Sequence, residues 1–320
     1  MNEYEENYST LDQAYEKITT EGFCVIKNVI NKNEVTEAQN GLWNTLNYLT
    51  KNFDKPIKYD DKDSWKTYYE LGTNRNMLMQ NWQIGQSQFF WDIRQNPNVV
   101  NVFSKLWNVR NEELLTSFDG MSFHVPPEQT GIGFYQGNDW FHTDQAPIKK
   151  DFNCIQSLIT LYDINKGDAT LRVIKNSCKY HKTLFEMKNN NNENNWHQYE
   201  DDELNYFYEN NCKPVRVLAK AGDLLLWDSR TAHHGVEPLK ERAKPNFRSV
   251  LYICMTPRSL IKENDLKRKQ KGFEKMRMTT HWPHRCKLFR KYPRDFENIE
   301  KIPELQKPKL SELGMKLAGF

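Results

Sequence analysis

The apolar residues of the first hundred positions recur mainly at helical spacing. Across residues 10–21 they return every three or four positions, and Gly22 ends the predicted helix. Asn33 is the predicted N-cap of a second helix. Asn96 followed by Pro97 predicts the start of a third helix, because proline is well suited to the first helical position. The beginning of the chain is therefore predicted to be mostly helical.

The middle of the chain changes to short apolar segments rich in β-branched and aromatic residues. These are "LLTSFDGMSFHV", "NCIQSLITLYDI", "ATLRVI", "KPVRVLAK", "GDLLLW" and "FRSVLYICMT", and Gly, Asp and Pro separate them. An earlier strand is predicted in "FCVIKNV". Short strands at such intervals are typical of a β-sandwich or barrel. The Asn-rich "KNNNNENNW" (188–196) is predicted to be a surface loop inserted between strands.

No repeat or linker divides the sequence, so we expect one domain over residues 1–320. Its predicted parts are a helical N-terminal layer (1–110), a β core (111–257) and a C-terminal helical extension (258–320). Apolar residues make up 38% of the chain and aromatic residues 13%, which is enough for a substantial core.

Charge and targeting signals narrow the classes of protein. A net charge of +3, well mixed along the chain, implies no strong field for nucleic acid or an anionic membrane. The sequence contains no secretory signal, no apolar run long enough to cross a bilayer and no C-terminal peroxisomal address. Six cysteines without a pairing rhythm suit reduced thiols. We therefore expect a cytoplasmic protein without membrane partners, whose oligomeric state is open.

Candidate chemistry lies in three separate segments. "GNDWFHTDQAP" contains His142 and Asp144, and side chains two apart on a strand share a face. "GDLLLWDSRTAHHGVEP" adds His233 and His234 at the end of an apolar strand. Two imidazoles and one carboxylate form the facial triad of non-haem iron(II) oxygenases, which leaves metal positions open. Arg248, embedded in the apolar strand "FRSVLYI", suits a cosubstrate that bears a carboxylate.

In these segments the sequence resembles the phytanoyl-CoA dioxygenase family of iron(II)- and 2-oxoglutarate-dependent oxygenases. "FHTDQ", "AGDLLLWDSRTAHHG" and the later arginine are the strongest points of similarity. "EGFCVIKNVINKNEV", "LLTSFDGMSF" and "GDATLRVIKNS" extend the resemblance over most of the chain. "TTHWPH" is similar to a C-terminal motif of a subgroup that includes fungal and large-virus sequences.

The resemblance implies a mainly β fold with flanking helices, built on a double-stranded β-helix (jelly-roll, cupin-like) core. It also implies that His142, Asp144 and His233 bind Fe(II) and that Arg248 binds 2-oxoglutarate. His233 is preferred to His234 because the family spacing after "DSR" fits position 233. Dioxygen is the second cosubstrate, and succinate and carbon dioxide are the expected co-products. Related halogenases replace the carboxylate ligand with a small residue, so Asp144 favours hydroxylation.

Further site residues are predicted from their neighbourhood. Gln156 and Thr160 lie at even spacing on the following strand and are candidates for contact with the cosubstrate. Gln145 and Trp227 are candidates for the substrate side. Arg230 could contact an anionic substrate, although an ion pair with Asp228 is the favoured interpretation.

The preferred function is hydroxylation of a small or medium organic molecule. One alternative is an oxygenase that acts on nucleic acid or protein, which would need a broad charged groove at the iron. A non-catalytic jelly-roll binding protein is disfavoured because the three ligands and the arginine are intact. A structural zinc site is disfavoured because the spacing of its candidate ligands is irregular; these are Cys178, His181, His281, His284 and Cys286.

Overall fold

Two six-stranded β-sheets form the centre of the protein. The computed structural model describes residues 3–294, 296–297 and 299–320. The strands are β1 (Glu3–Glu5), β2 (Phe23–Ile26), β3 (Leu78–Met79), β4 (Leu114–Thr116), β5 (Met121–His124), β6 (His142–Thr143), β7 (Ile155–Thr160), β8 (Thr170–Lys175), β9 (His197–Gln198), β10 (Lys213–Val217), β11 (Leu224–Asp228), β12 (His233–Val236), β13 (Arg248–Tyr252) and β14 (Met255–Pro257).

The strand order identifies the two sheets. Sheet A has the order β1-β10-β8-β12-β6-β9, and sheet B has the order β2-β11-β7-β13-β5-β3. A separate ladder joins β14 to β4. The long strands that form the centre of each sheet pair antiparallel. Two antiparallel sheets with helices around them are the expected jelly-roll core with its flanking helices.

Helices precede, interrupt and follow the strands. They are α1 (Leu11–Glu21), α2 (Lys32–Leu49), α3 (Gln88–Arg94), α4 (Pro97–Trp107), α5 (Pro127–Thr130), α6 (His181–Met187), α7 (Asp201–Glu209), α8 (Glu263–Glu274) and α9 (Glu312–Ala318). Short 3₁₀ helices occupy Lys62–Leu71, Ile84–Gln86, Asn111–Glu113, Ser177–Tyr180, Arg258–Leu260 and Ile299–Lys301. None of the helices in the described ranges combines the length and the apolar character needed to cross a bilayer.

Strand β11 of sheet B is apolar on both faces because both faces are buried. On β11, Leu224 and Leu226 pack with helices α1, α2 and α4 in one core. Leu225 and Trp227 point the opposite way and pack against sheet A in a second core. Alternation of side chains along the strand separates the two sets. The uninterrupted run "LLLW" is therefore the pattern of a strand covered on both sides.

Most elements that the sequence predicts are present, and three predictions were wrong. The N-cap of α2 is Asn31 and not Asn33, because the Asn31 side chain accepts the Asn33 and Glu34 backbone N–H groups. Helices α6 and α7 flank the Asn-rich segment and were not predicted. The region after residue 257 is only partly helical, since α8 and α9 are joined by a long irregular segment.

Lys269 of α8 is a buried cation, and its burial predicts a pH dependence of the free energy of unfolding. The side chain is 1% exposed and donates to the Thr116 carbonyl. Burial lowers the pKa of the ammonium group to about 7. Between this value and the ordinary lysine pKa the unfolded chain binds more protons, so this group makes stability rise with pH. Lys269→Met removes that contribution.

We expect the free energy of unfolding of the Lys269→Met variant, relative to the natural protein, to fall as pH rises from 7 to 9. The slope is at most about 1.4 kcal/mol per pH unit. Urea unfolding at several pH values measures it. The matched substitution of exposed Lys267 should show no such slope, and parallel curves for Lys269→Met and the natural protein would contradict the prediction.

Candidate metal centre and substrate cavity

Two histidines meet across a strand pair. His142 on β6 and His233 on β12 are register partners in sheet A, and their ring centroids lie 4.4 Å apart. Both side chains are buried, at 6% and 4% exposure. Asp144 follows β6 on the same side as His142, as the two-residue spacing predicts. The structure therefore brings the three predicted side chains to one point.

The three side chains present ligand atoms to a common centre. Asp144 Oδ1 lies 3.8 Å from His142 Nε2, and Asp144 Oδ2 lies 3.3 Å from His233 Nε2. One ligand atom from each residue lies within 4.8 Å of the others, and this is the one such cluster found among the described residues. Two imidazoles and one carboxylate are a suitable donor set for iron(II) with open positions.

Backbone carbonyls orient both imidazoles toward that centre. His142 Nδ1 lies 3.2 Å from the Trp140 carbonyl, and His233 Nδ1 lies 2.9 Å from the Thr231 carbonyl. A carbonyl can only accept, so each Nδ1 donates and each Nε2 retains its lone pair. This arrangement prepares both Nε2 atoms to bind a metal ion.

The electrostatics keep the site in the protonation state that metal binding requires. Burial, assisted by neighbouring His233, lowers the pKa of His142 to about 3. Burial acts to raise the pKa of Asp144, but neighbouring His142 and His233 outweigh it and hold that pKa below the ordinary value. Near neutral pH the first imidazole is neutral and the carboxylate is ionised, which are the ligand forms.

The neighbouring His234 points to the opposite face of β12. Its Nε2 lies 3.3 Å from Asp139 Oδ1, and its ring packs edge-on against Phe141, with centroids 4.5 Å apart. The alternation of side chains on a strand explains why only one of two adjacent histidines reaches the centre. The structure therefore brings His233, and not His234, to the cluster.

Gln156 connects Asp144 to Trp227. The amide Nε2 donates to Asp144 Oδ2 at 2.8 Å, and the amide Oε1 accepts from the Trp227 indole N–H at 2.9 Å. Register pairing of β7 with β11 places Gln156 opposite Trp227. Both of these predicted site residues line the cavity described below. The amide therefore fixes the orientation of the carboxylate.

Replacing Gln156 with alanine should weaken iron(II) binding about 10- to 100-fold, the usual effect of losing a group that orients a metal ligand. Anaerobic iron(II) titration measures it. Thr160→Val on the same strand is the control, because the Thr160 hydroxyl donates to the Tyr162 carbonyl, at 2.7 Å. Equal iron affinity in Gln156→Ala and the natural protein would contradict this role.

Arg248 on β13 is a buried cation whose side chain has no hydrogen-bond partner among the described residues. Its side chain is 2% exposed, and within the described part of the chain none of its three guanidinium nitrogens has a partner. Residues two apart on a strand share a face, so Arg248 points the same way as Tyr252, which lines the cavity. An unpaired buried guanidinium is costly, and a carboxylate ligand would remove that cost.

His124 is a second unsatisfied group beside the guanidinium. It is the register partner of Arg248 on β5 and is 1% exposed. Neither ring nitrogen has a hydrogen-bond partner among the described residues. Burial, followed by the charge of Arg248, lowers its pKa to about 3. A neutral imidazole next to an arginine can donate a further hydrogen bond to a carboxylate.

A cavity of about 990 Å³ opens at the three clustered residues. Its apolar walls include Trp140, Trp196, Trp227 and Trp282. The Trp140 ring stacks on His142 with centroids 4.7 Å apart. The volume is at the upper end of the range for small-molecule sites, and the tryptophans share the wall with charged and amide side chains.

Four of the sequence-predicted site residues are not among those that line this cavity: Thr160, Gln145, Arg230 and Arg248. The hydroxyl of Thr160 is used by the Tyr162 carbonyl. The amide of Gln145 donates to the carbonyls of Lys149 and Asp151 and accepts from the Ser229 hydroxyl. Gln145 follows Asp144 directly, so it points away from the face that the carboxylate uses.

Arg230 forms the structural ion pair that the sequence favoured. Its guanidinium nitrogens lie 2.6–3.1 Å from the carboxylate oxygens of Asp228. Asp228 is fully buried, and burial acts to raise its pKa while Arg230 opposes that rise. Because this pairing satisfies both groups, Arg230 stabilises the turn between β11 and β12.

Much of the cavity wall comes from segments in which the sequence predicts no site residue. Asn194, Asn195 and Trp196 of the Asn-rich segment line one side, and the segment around Trp282 lines another. "TTHWPH" is similar to a family motif, but no feature of the neighbouring sequence predicts that it lies beside the clustered residues. His281 of that motif lies beside Asp144, and burial lowers its pKa to about 4.

The other residues considered for zinc are dispersed. The Cys178 thiol lies against the Thr19 carbonyl, and His181 Nε2 lies 3.1 Å from the Lys149 carbonyl. His284 Nδ1 contacts the Thr256 hydroxyl. Within the described ranges these residues form no cluster that could hold a metal ion.

Comparison with known proteins identifies related sequences and folds. The family model described as "Phytanoyl-CoA dioxygenase (PhyH)" matches residues 18–237. "Ava biosynthesis cluster protein O" of Aspergillus versicolor is 29% identical over 273 residues, covering 83% of this chain and 84% of that protein. A "Putative phytanoyl-CoA dioxygenase" of Dictyostelium discoideum is 29% identical over 136 residues, which cover 42% of this chain and 36% of that protein.

The fold is similar to that of a solved bacterial structure. The hypothetical protein JW0805 from Escherichia coli superposes with a TM-score of 0.61 at 16% identity. The superposition covers 98% of this chain and 82% of that one. At this identity the similarity concerns the fold, and the sequence match to the family model concerns the chemistry.

Proposed function

The chain belongs to the phytanoyl-CoA dioxygenase family, and from that premise we propose that it hydroxylates a small or medium organic molecule. Family membership makes it an iron(II)- and 2-oxoglutarate-dependent oxygenase. Bound iron and 2-oxoglutarate, with dioxygen, supply the oxidising power to hydroxylate a C–H bond while 2-oxoglutarate becomes succinate and carbon dioxide. Hydroxylation as the reaction, and a small or medium organic molecule as the substrate, are what we propose.

In this proposal each clustered residue has a defined role. His142, Asp144 and His233 hold the iron, and Gln156 orients the carboxylate. Arg248 holds the distal carboxylate of 2-oxoglutarate, and His124 donates to the same group. Asp144 is the carboxylate ligand that favours hydroxylation over halogenation.

The observation that supports this assignment is that one molecule contains both a set of metal-ligand groups and a buried cation that lack a partner. The ligand atoms of three side chains face one common point. The buried guanidinium of Arg248 has no hydrogen-bond partner within the described residues. Burying either set of polar groups without a partner costs free energy. Iron(II) with a dicarboxylate that chelates it would satisfy both.

The cavity supports a small-molecule substrate. A volume of about 990 Å³ with tryptophan walls accommodates an organic molecule larger than an amino acid. The relative from Aspergillus versicolor is named as a protein of a biosynthesis cluster, which agrees with action on a small molecule. A substrate of protein or nucleic acid would require a broad charged groove.

We propose further that the whole chain acts as one catalytic domain in a reducing compartment. One apolar core includes residues from both ends of the chain, such as Ala14 and Leu317. All six cysteines are buried free thiols, which suits the cytoplasm.

Anaerobic spectroscopy tests the function directly. Iron(II) and 2-oxoglutarate added together should produce a weak metal-to-ligand charge-transfer band in the visible range, and neither should produce it alone. Succinate release across panels of acids, amines, nucleosides and acyl thioesters would then identify the substrate. Absence of the band and of any 2-oxoglutarate affinity would refute the enzyme assignment.

A further inference from the structure

Asp119 is a buried carboxylate that lines the substrate cavity and has no part in the proposed iron or 2-oxoglutarate sites. It lies in the Asp-Gly turn between β4 and β5 and is 6% exposed. Its Oδ1 accepts the Gly120 backbone N–H at 2.7 Å, and Gln80 contacts the carboxylate through its side chain. Among the described residues it makes no ion pair within 4.0 Å. These two hydrogen bonds use only part of the accepting capacity of a carboxylate, so Asp119 can accept a further hydrogen bond from a ligand in the cavity.

The backbone fixes this carboxylate in place. Buried Arg94 donates to the Asp119 carbonyl at 2.6 Å and to the Gly85 carbonyl. A Cβ at Gly120 would lie 2.1 Å from the Met79 carbonyl oxygen, so the turn packs directly against β3. A polar group held rigidly in a cavity that also has aromatic walls can orient a bound ligand.

The electrostatic state of Asp119 indicates which partner it lacks. Burial, which outweighs the hydrogen bond from Gly120 and the charge of Arg94, raises its pKa to about 7. Asp144 also repels it, which places the two carboxylates near each other. A ligand group that donates hydrogen bonds or is positively charged would relieve this uncompensated burial.

The cations that line the cavity, Arg75, Arg268, Arg285 and Lys287, do not reverse this preference. Arg268 is paired with Asp265 at 3.0 Å, and its side chain is 56% exposed. The Arg75 guanidinium stacks over the Trp140 ring at 4.0 Å. Exposed charges are screened by water and salt, whereas a buried carboxylate acts in a lower dielectric. The buried end of the cavity therefore decides the charge of the ligand.

We propose, building on the oxygenase function above, that the substrate is an aromatic molecule with an amine nitrogen, and that Asp119 binds this nitrogen. The aromatic part packs between Trp140, Trp196 and Trp282. Binding at two fixed points presents one carbon of the substrate to the metal centre. An anionic substrate held by Arg285 and Lys287 at the mouth is the competing outcome.

Three indoles test this assignment, because their short side chains end in an ammonium, a methyl or a carboxylate group: tryptamine, 3-ethylindole and indole-3-acetate. Their affinities are measured by anaerobic calorimetry on the protein loaded with iron(II) and 2-oxoglutarate. Tryptamine should bind at least about tenfold more tightly than the other two. Asp119→Asn and Asp119→Ala should each weaken tryptamine binding about tenfold or more and leave 3-ethylindole unchanged.

Glu193→Gln is the matched control, because this carboxylate also lines the cavity but lies on the exposed segment. Its tryptamine affinity should stay within about twofold of the natural value. The charge-transfer band of each variant shows that the fold and the cofactor site are intact.

Tighter binding of indole-3-acetate, or unchanged tryptamine affinity in both Asp119 variants, would overturn the proposal. Failure of all three indoles to bind while the charge-transfer band is normal would also overturn it and leave the oxygenase function intact. Loss of the band in the natural protein would instead refute the proposed function itself.

Discussion

Asp144→Ala is expected to abolish the charge-transfer band and to lower succinate release by at least about a hundredfold, because even an outer-shell change costs 10- to 100-fold. The carboxylate is the only anion of the three clustered groups, and it lies 3.3 Å from His233 Nε2. Without it two neutral imidazoles are left to hold a divalent cation. Spectroscopy with iron(II) and 2-oxoglutarate, followed by succinate assay, measures both effects.

A pair of adjacent histidines provides the control for this prediction. His233→Gln should reproduce the loss of the band, whereas His234→Gln should retain it, since His234 contacts Asp139 on the other face of β12. Both side chains are buried, so the two substitutions disturb similar surroundings. Equal loss in both variants would contradict the assignment of His233, and a normal band in Asp144→Ala would contradict the metal centre.

The part of the site that the sequence predicts is the part that local rules determine. Alternation along a strand places His142 and Asp144 on one face and separates His233 from His234. An arginine inside an apolar strand indicates a buried partner for its charge, and Arg248 is buried as expected. These inferences need only the backbone of single strands.

The remainder depends on contacts between distant segments. Gln145 was predicted at the substrate side, but carbonyls of Lys149 and Asp151 use its amide. His124 reaches Arg248 through strand pairing, and Trp282 reaches the cavity from beyond α8. Helix capping fails for a different reason, because Asn31 and Glu34 form a capping box, a local signal that favours Asn31 over Asn33.

Arg248→Met is expected to stabilise the protein without ligands and to destroy its affinity for 2-oxoglutarate. The natural guanidinium is buried with no hydrogen-bond partner in the described part of the chain, so an apolar side chain of similar length should raise the free energy of unfolding by about 1–4 kcal/mol. Loss of the charged partner should weaken 2-oxoglutarate binding at least about thirtyfold. Urea unfolding and anaerobic calorimetry measure the two effects.

A gain in stability together with a loss of 2-oxoglutarate affinity distinguishes an arginine that binds the cosubstrate from an arginine that stabilises the fold. A 2-oxoglutarate concentration 100 times the dissociation constant should stabilise the natural protein loaded with iron(II) by about 2.7 kcal/mol and leave Arg248→Met nearly unaffected. Arg248→Lys retains the charge but loses the two-pronged geometry, so its affinity should be intermediate. If Arg248→Met instead destabilised the ligand-free protein and bound 2-oxoglutarate normally, the guanidinium would have an unseen structural partner. An arginine that lowers stability until its ligand arrives is the expected cost of a preformed carboxylate site.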